Sequence, residues 1–179
     1  MEIIEALYFM LPAYAANMAP VIFNRIPIGG EPLDLDATLE GKRILGDHKT
    51  FRGLLMGIFC AILIVILQQQ LTPSGSSLIL FNYASLTQLQ TVLLGVAFGA
   101  GALGGDLIKS FFKRRLGISP GKPWIPFDQL DFVIGALIAV SPFFVPSLLH
   151  IMIILILTPL LHVLSNIAAH AVGIKKVWW

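Results

Sequence analysis

The stretch FVIGALIAVSPFFVPSLLHIMIILILTPLLHVLSNIAA, residues 132–169, decides the fold. One helix needs about 20 mostly apolar residues to cross a bilayer, and this stretch is nearly twice that length. It therefore has to fold back on itself. Pro142 and Pro146 mark the break because proline interrupts a helix. The stretch predicts two membrane spans, at about 132–144 and 147–171.

The composition of the whole chain also indicates a membrane protein. Of its 179 residues, 56% are hydrophobic and 12% are charged, whereas a soluble domain carries about 25% charged residues. A disordered chain or a nucleic-acid-binding protein would need low hydrophobicity or a large charge excess, and the formal net charge is only +2. We therefore expect the lipid bilayer, and no nucleic acid, as a partner. The lone Cys60 cannot form a disulfide within the chain.

Three further apolar runs complete the expected topology, and a segment rich in Pro, Ser and Gly at 72–85 predicts a turn between the second and third spans. The prediction is an all-α integral membrane protein with five transmembrane helices in a single domain, residues 1–179. Its remaining spans lie at about 6–23, 53–71 and 86–105, and its two longer loops at about 24–52 and 106–131.

The positions of the basic residues predict the orientation. All twelve Lys and Arg residues fall in the two longer loops or after the last span, together with eight of the ten acidic residues. The positive-inside rule then places the N-terminus outside and the C-terminus in the cytoplasm, with Trp178 and Trp179 as anchors at the inner interface. We expect a multi-pass protein of the cell membrane whose chemistry lies on the cytoplasmic face.

The second loop carries three carboxylates near basic residues. If span three continues as a helix past Asp106, one helical face presents Asp106, Lys109, Ser110, Lys113 and Arg114. Asp128 and Asp131 are three residues apart at the start of span four, so both can face one site.

Two simpler interpretations of this loop stay open. Its basic residues can serve orientation and contact with anionic lipid alone, and Asp128 can be the N-cap of span four. Neither explains Asp106 or Asp131, because carboxylates are costly near a bilayer. Carboxylate oxygens beside Lys and Arg are typical of a Mg²⁺ ion that holds a polyphosphate.

The first loop contains the sequence KRILGDHKTFRG at residues 42–53. A turn at Gly46-Asp47 followed by Lys49, Thr50 and Arg52 at the start of a helix can bind an anion. A positively charged helix flank with no ligand is an equally good interpretation. The block is not a Walker loop, because the Gly-x-x-x-x-Gly-Lys-[Ser/Thr] pattern is missing from it.

Both segments resemble those of the CDP-archaeol synthase family and, more distantly, the CDP-diacylglycerol synthases. The resemblance covers the whole chain in length and span order. It rests on the blocks Gly46-Asp47-x-Lys49-Thr50-x-Arg52-Gly53 and Gly105-Asp106-x-x-Lys109-Ser110-x-x-Lys113-Arg114, the second leading to Pro126-x-Asp128-Gln129-x-Asp131. The sequence departs from the wider synthase pattern at Gln129, where that pattern has Arg, and in a shorter connecting loop.

The resemblance implies an enzyme that transfers CMP from CTP to 2,3-bis-O-geranylgeranyl-sn-glycerol 1-phosphate, forming CDP-archaeol and pyrophosphate in archaeal phospholipid synthesis. The implied partners are CTP and the lipid phosphate, and the implied cofactor is Mg²⁺ held by Asp106, Asp128 and Asp131. These three residues and Lys109 are the implied catalytic set. The implied substrate-binding residues are Lys42, Lys49, Thr50, Arg52, Ser110, Lys113, Arg114 and Lys122.

Two other functions are weighed against this one. A CDP-alcohol phosphotransferase also works at the membrane surface, but its Asp-Gly-x-x-Ala-Arg motif is missing from the sequence. A small transporter or channel subunit predicts ionisable residues at mid-membrane depth, whereas the acidic residues here cluster at one rim.

Small and polar residues inside the spans have weaker interpretations. The glycines at 95, 99, 101 and 105 are expected on one side of span three, for close helix packing. Asn17 can pack between helices or line a lipid path. The pair His162 and Asn166 is expected to form structural hydrogen bonds.

Overall fold

Five helices and one short hairpin make up the described part of the chain. The structure is a computed structural model that describes residues 1–72, 80–119 and 122–173. A 3₁₀ turn at Tyr83–Ser85 precedes the third helix. The elements are α1 (Glu2–Ile22), β1 (Thr38–Leu39), β2 (Lys42–Arg43), α2 (Phe51–Leu71), α3 (Gln88–Arg115), α4 (Phe127–Val140) and α5 (Leu148–Ala171).

Hydroxyl side chains begin three of these helices. Thr50 accepts a hydrogen bond from the backbone N–H of Gly53 at the start of α2, and Thr87 forms a capping box with Gln90 at the start of α3. Ser147 caps α5 in the same way. Such caps satisfy N–H groups that have no partner inside the helix, so the sequence itself sets where these helices begin.

Helix α3 lies between α2 and α4, and glycines allow both approaches. A Cβ atom added at Gly99 would lie 2.6 Å from the Cα of Ile58 in α2. Gly105, by contrast, faces the backbone of α4 at Asp131 and Gly135. The prediction that all four glycines lie on one side of this helix is therefore wrong. Gly101 lies six positions after Gly95, which is about 240° around a helix, so the two glycine pairs face different helices.

Among the described residues, three helices are long and apolar enough to cross a membrane: Phe51–Leu71, Gln88–Arg115 and the Leu148–Ala168 part of α5. Helix α4 has 14 residues, which corresponds to about 21 Å at the usual helical rise. The structure thus supports a mostly helical membrane protein, and the five-span topology and its orientation stay predictions.

The two longer loops contain more regular structure than the sequence indicated. Helix α3 continues through Arg115 and α4 begins at Phe127, so much of the expected loop 106–131 is helical. The loop 24–52 contains an antiparallel hairpin that pairs Thr38 with Arg43, which corrects the all-α prediction. The turn residues expected within 73–79 and the tail residues Lys175, Lys176, Trp178 and Trp179 lie outside the described residues.

Candidate active site

A buried carboxylate organises the loop between α1 and α2. The Asp34 side chain accepts hydrogen bonds from the backbone N–H groups of Leu45 and Gly46, at 2.9 and 3.1 Å, and pairs with the Arg43 guanidinium at 2.6 Å. This guanidinium holds the pKa of the Asp34 carboxyl well below its usual range. Asp34 therefore anchors the turn at Gly46 that leads to Lys49. The sequence interpretation missed Asp34, because an acid in a charged loop gives no signal of burial.

Arg115 and Lys42 join the hairpin to the end of α3. The Arg115 guanidinium donates to the carbonyl oxygens of Leu39, Lys42 and Arg43, and the Lys42 ammonium donates to the Arg115 carbonyl at 3.1 Å. Lys42 thus contacts the helix end beside an open depression that Arg43 and Arg114 also line. Its part in substrate binding stays a prediction.

Three carboxylates converge on one ammonium group. The Lys109 Nζ lies 3.0 Å from Asp106 Oδ1, 3.0 Å from Asp128 Oδ1 and 2.8 Å from Asp131 Oδ2. Asp106 and Lys109 come from α3, and both other acids come from the start of α4. The close approach of these helices at Gly105 and Gly135 brings the acids together. The structure therefore brings together the four residues that the family resemblance implied as catalytic, and we name them the carboxylate cluster.

Two further lysines flank the carboxylate cluster. Lys49, from the first loop, lies 2.5 Å from Asp106 Oδ2. Lys113 lies 3.0 Å from both oxygens of Asp128 and donates to the carbonyl of Lys122 at 2.7 Å. The first loop and α3 thus meet at the site, so the two sequence blocks that carry the family resemblance lie next to each other.

Asp128 is not the N-cap of α4. Pro126 occupies that position, and the Asp128 carboxylate accepts the backbone N–H of Trp124 at 2.5 Å while it contacts Lys109 and Lys113. The simpler interpretation of Asp128 is therefore wrong. The carboxylate does bond to backbone near the helix start, and its other contacts belong to the carboxylate cluster.

A pocket of about 570 Å³ opens in front of the cluster, within the range of about 300–1,000 Å³ that is usual for ligand pockets. The side chain of Asp131 is only 5% exposed and lies behind Lys109, outside the lining. The site residues expected from the sequence that line the pocket are Lys49, Thr50, Arg52, Asp106, Lys109, Lys113, Lys122 and Asp128.

The remaining predicted residues lie close to this pocket without lining it. Ser110 and Arg114 line a neighbouring depression of about 100 Å³ together with Lys109 and Lys113. Within the pocket, Thr50 also caps α2, and the Arg52 guanidinium donates to the carbonyl oxygen of Ile26. Several expected ligand-binding side chains therefore also hold the local backbone in place.

Helices α1 and α5 supply a wall that the sequence interpretation left undecided. Asn17, His162 and Asn166 line the same pocket. The Nδ2 of Asn166 lies 3.3 Å from the Nδ1 of His162, so the expected hydrogen bond within α5 is present. The sequence showed a polar pair at positions i and i+4 in an apolar helix. It did not show that this pair faces the pocket.

Comparison with known proteins identifies the family. The model of the family described as "CarS-like: CDP-archaeol synthase" matches residues 1–179. The CDP-archaeol synthase of Methanocaldococcus jannaschii is 41% identical over 97% of this chain and 96% of its own, and that of Thermococcus gammatolerans is 42% identical over 97% and 95%.

A solved structure agrees with this assignment. It is described as an intramembrane enzyme for archaeal membrane lipids biosynthesis and is 34% identical to this chain, with a TM-score of 0.75. The alignment covers 92% of this chain and 94% of that one. The resemblance seen in the two sequence blocks is thus confirmed over the full length: the chain belongs to the CDP-archaeol synthase family.

Proposed function

We propose that this chain transfers the cytidylyl group of CTP to the phosphate of an archaeal isoprenoid ether lipid, forming CDP-archaeol and pyrophosphate. The observation that carries the proposal is the convergence of three carboxylates and flanking lysines at one pocket. Full-length similarity to CDP-archaeol synthases supports it. Neither the phosphotransferase nor the transporter alternative receives support from the comparisons.

The reaction needs positioning and charge neutralisation more than proton transfer. A phosphate monoester has a second pKa near 6, so the lipid phosphate is mostly a dianion and already a nucleophile at neutral pH. Its oxygen forms a bond to the α-phosphorus of CTP as the bond from that phosphorus to the bridging oxygen breaks. The electron pair leaves with pyrophosphate. No general base is required, and the protein has to hold two highly charged groups together.

The cations of the pocket are suited to that task. Lys49, Arg52, Lys113 and Lys122 come from both sequence blocks and line the same space. They neutralise the triphosphate and the lipid phosphate as these approach each other. The helix α2 begins beside them at Thr50, and its N-terminal dipole adds to the attraction for anions.

The carboxylate cluster fits a Mg²⁺ ion by the chemistry of its donors. Carboxylate oxygens are the ligands that Mg²⁺ prefers, and the point on which they converge already holds a cation, the Lys109 ammonium. With side chains as they stand, no three His, Cys, Asp or Glu residues in the described ranges are spaced to share one metal. Asp106, Asp128 and Asp131 would hold Mg²⁺ once Lys109 moves aside. When bound, Mg²⁺ supplies charge neutralisation at phosphate oxygens.

We also propose the full membrane topology, with five spans, the N-terminus outside and the site on the cytoplasmic face. The support is the confinement of every Lys and Arg to the segments that this topology places in the cytoplasm. The carboxylate cluster lies at the ends of α3 and α4 that adjoin these segments. A water-soluble nucleotide can reach that surface, and a bilayer lipid can reach it from the side.

The test uses the full chain purified in detergent. We expect equal amounts of CDP-lipid and pyrophosphate from CTP and the geranylgeranyl ether lipid phosphate, slower conversion of phosphatidic acid, and no pyrophosphate without lipid. Asp128→Asn should lower kcat/KM by about 100-fold or more, with Glu2→Gln at the opposite end of the molecule as the matched control. Failure of the unmodified protein to form CDP-lipid would contradict the function. Full activity in excess chelator would contradict only the magnesium assignment.

A further inference from the structure

Helices α1 and α5 run side by side in the same direction, and polar contacts join them at two places in the described residues. Glu5 Oε2 lies 3.3 Å from His150 Nε2, and Tyr14 OH lies 2.8 Å from Thr158 Oγ1. The paired residues differ in number by 145 and 144. Nearly equal differences are expected where two helices run parallel, and we name this contact the α1–α5 seam.

Further along the seam, the same register reaches the pocket. If the difference of 145 is continued along both helices, Asn17 lies level with His162 and Val21 lies level with Asn166, about one and two turns beyond the Tyr14 contact. All four of these residues line the pocket of about 570 Å³. The seam is therefore bridged by hydrogen bonds in its N-terminal half and borders the pocket in its C-terminal half.

The two walls of the pocket differ in chemistry. The wall from α3, α4 and the start of α2 carries lysines and carboxylates, among them Lys49, Lys113 and Asp128. The seam wall lines the pocket with amides, an imidazole and apolar groups. Val21, one of these apolar groups, is 39% exposed. One wall thus suits phosphates, and the other suits an uncharged polar group attached to an apolar chain.

We infer that the C-terminal half of the α1–α5 seam binds the glycerol ether portion of the lipid phosphate, and so determines the affinity for lipid rather than for CTP. Ether oxygens only accept hydrogen bonds, and amide and imidazole N–H groups donate them. The inference rests on the proposed function, because it assigns one substrate of that reaction to one wall.

The test compares His162→Ala and Asn166→Leu with the control Ser165→Ala. Ser165 is exposed on the same turn of α5 and does not line the pocket. We expect each seam variant to raise KM for the lipid phosphate by about 3- to 10-fold, the loss of one hydrogen bond, with KM for CTP within about twofold of the unmodified protein. His162→Gln keeps an N–H donor and should recover part of the lipid affinity.

Two measurements separate the possible failures. If the unmodified chain makes no CDP-lipid, the proposed function fails and this inference falls with it. If the unmodified chain is active but the seam variants leave KM for lipid unchanged, or raise both KM values equally, only the inference is overturned. Calorimetric titration of each variant with CTP should give the same affinity as the unmodified protein. Loss of CTP binding would also overturn the inference, because the seam would then support the structure of the whole site and not only the lipid.

Discussion

Replacing Lys109 by Met should destabilise the protein mainly through one carboxylate. Without the Lys109 ammonium, Asp106 keeps Lys49 at 2.5 Å and Asp128 keeps Lys113 at 3.0 Å. Asp131 loses the one cation that the described residues place within 4.0 Å of it, although its side chain is only 5% exposed. Breaking a buried ion pair costs about 3–5 kcal/mol. Since a single carboxylate is left without a cation, we expect about 3 kcal/mol.

The double variant Lys109→Met with Asp131→Asn tests this reasoning. Removing the orphaned charge should recover about 2 kcal/mol of the loss, so the two substitutions are strongly non-additive. The assay is unfolding of the detergent-solubilised protein in increasing denaturing detergent, followed by circular dichroism. Lys122→Met is the matched control, because Lys122 is exposed, and it should change stability by less than about 0.5 kcal/mol. Additive losses in the double variant would refute the argument.

Two further predictions concern the supports of the site. Gly105→Ala places a methyl group against the backbone of α4 at Asp131, whereas the methyl group of Gly104→Ala meets nothing within 4 Å. Overpacking should cost the Gly105 variant about 1–3 kcal/mol of stability and most of its activity. Equal stability and activity of the two variants would contradict the close approach of α3 and α4. Because Arg43 lowers the pKa of Asp34, the stabilisation from this carboxylate is full above its unfolded pKa of about 3.9 and is lost as pH falls below it. The stability gap between the unmodified protein and Asp34→Asn should therefore be constant from neutral pH to about 5 and then shrink; a gap that widens in acid would show that the pairing has been misread.

The helices were predictable because their signal is local. Apolar runs depend on neighbouring residues only. The hydroxyl caps Thr50 and Ser147 are local as well, although the sequence interpretation did not name them as caps. The positions that were predicted wrongly depend on partners far along the chain. Gly101 and Gly105 could not be assigned to α4 from their spacing with Gly95 and Gly99 alone, because which helix approaches which face is decided by packing.

The carboxylate cluster was predictable in membership and not in arrangement. Asp106, Asp128 and Asp131 were identified from acids at costly positions, and they do lie together. That all three share Lys109 as their central partner is a matter of three-dimensional geometry. Asp34 shows the opposite case: it is buried by hydrogen bonds to backbone groups eleven and twelve residues away, which no periodicity in the sequence reveals.

The α1–α5 seam joins the first of the described helices to the last of them. During synthesis, α3 and α4 are complete before α5 leaves the ribosome, so the carboxylate cluster can assemble on a chain that still has an open side. The contacts of Glu5 with His150 and of Tyr14 with Thr158 form only after α5 has been inserted. A nascent chain that stops short of α5 would have only the α1 residues of the seam opposite the charged wall, so insertion of α5 is the step that completes the lining of the pocket.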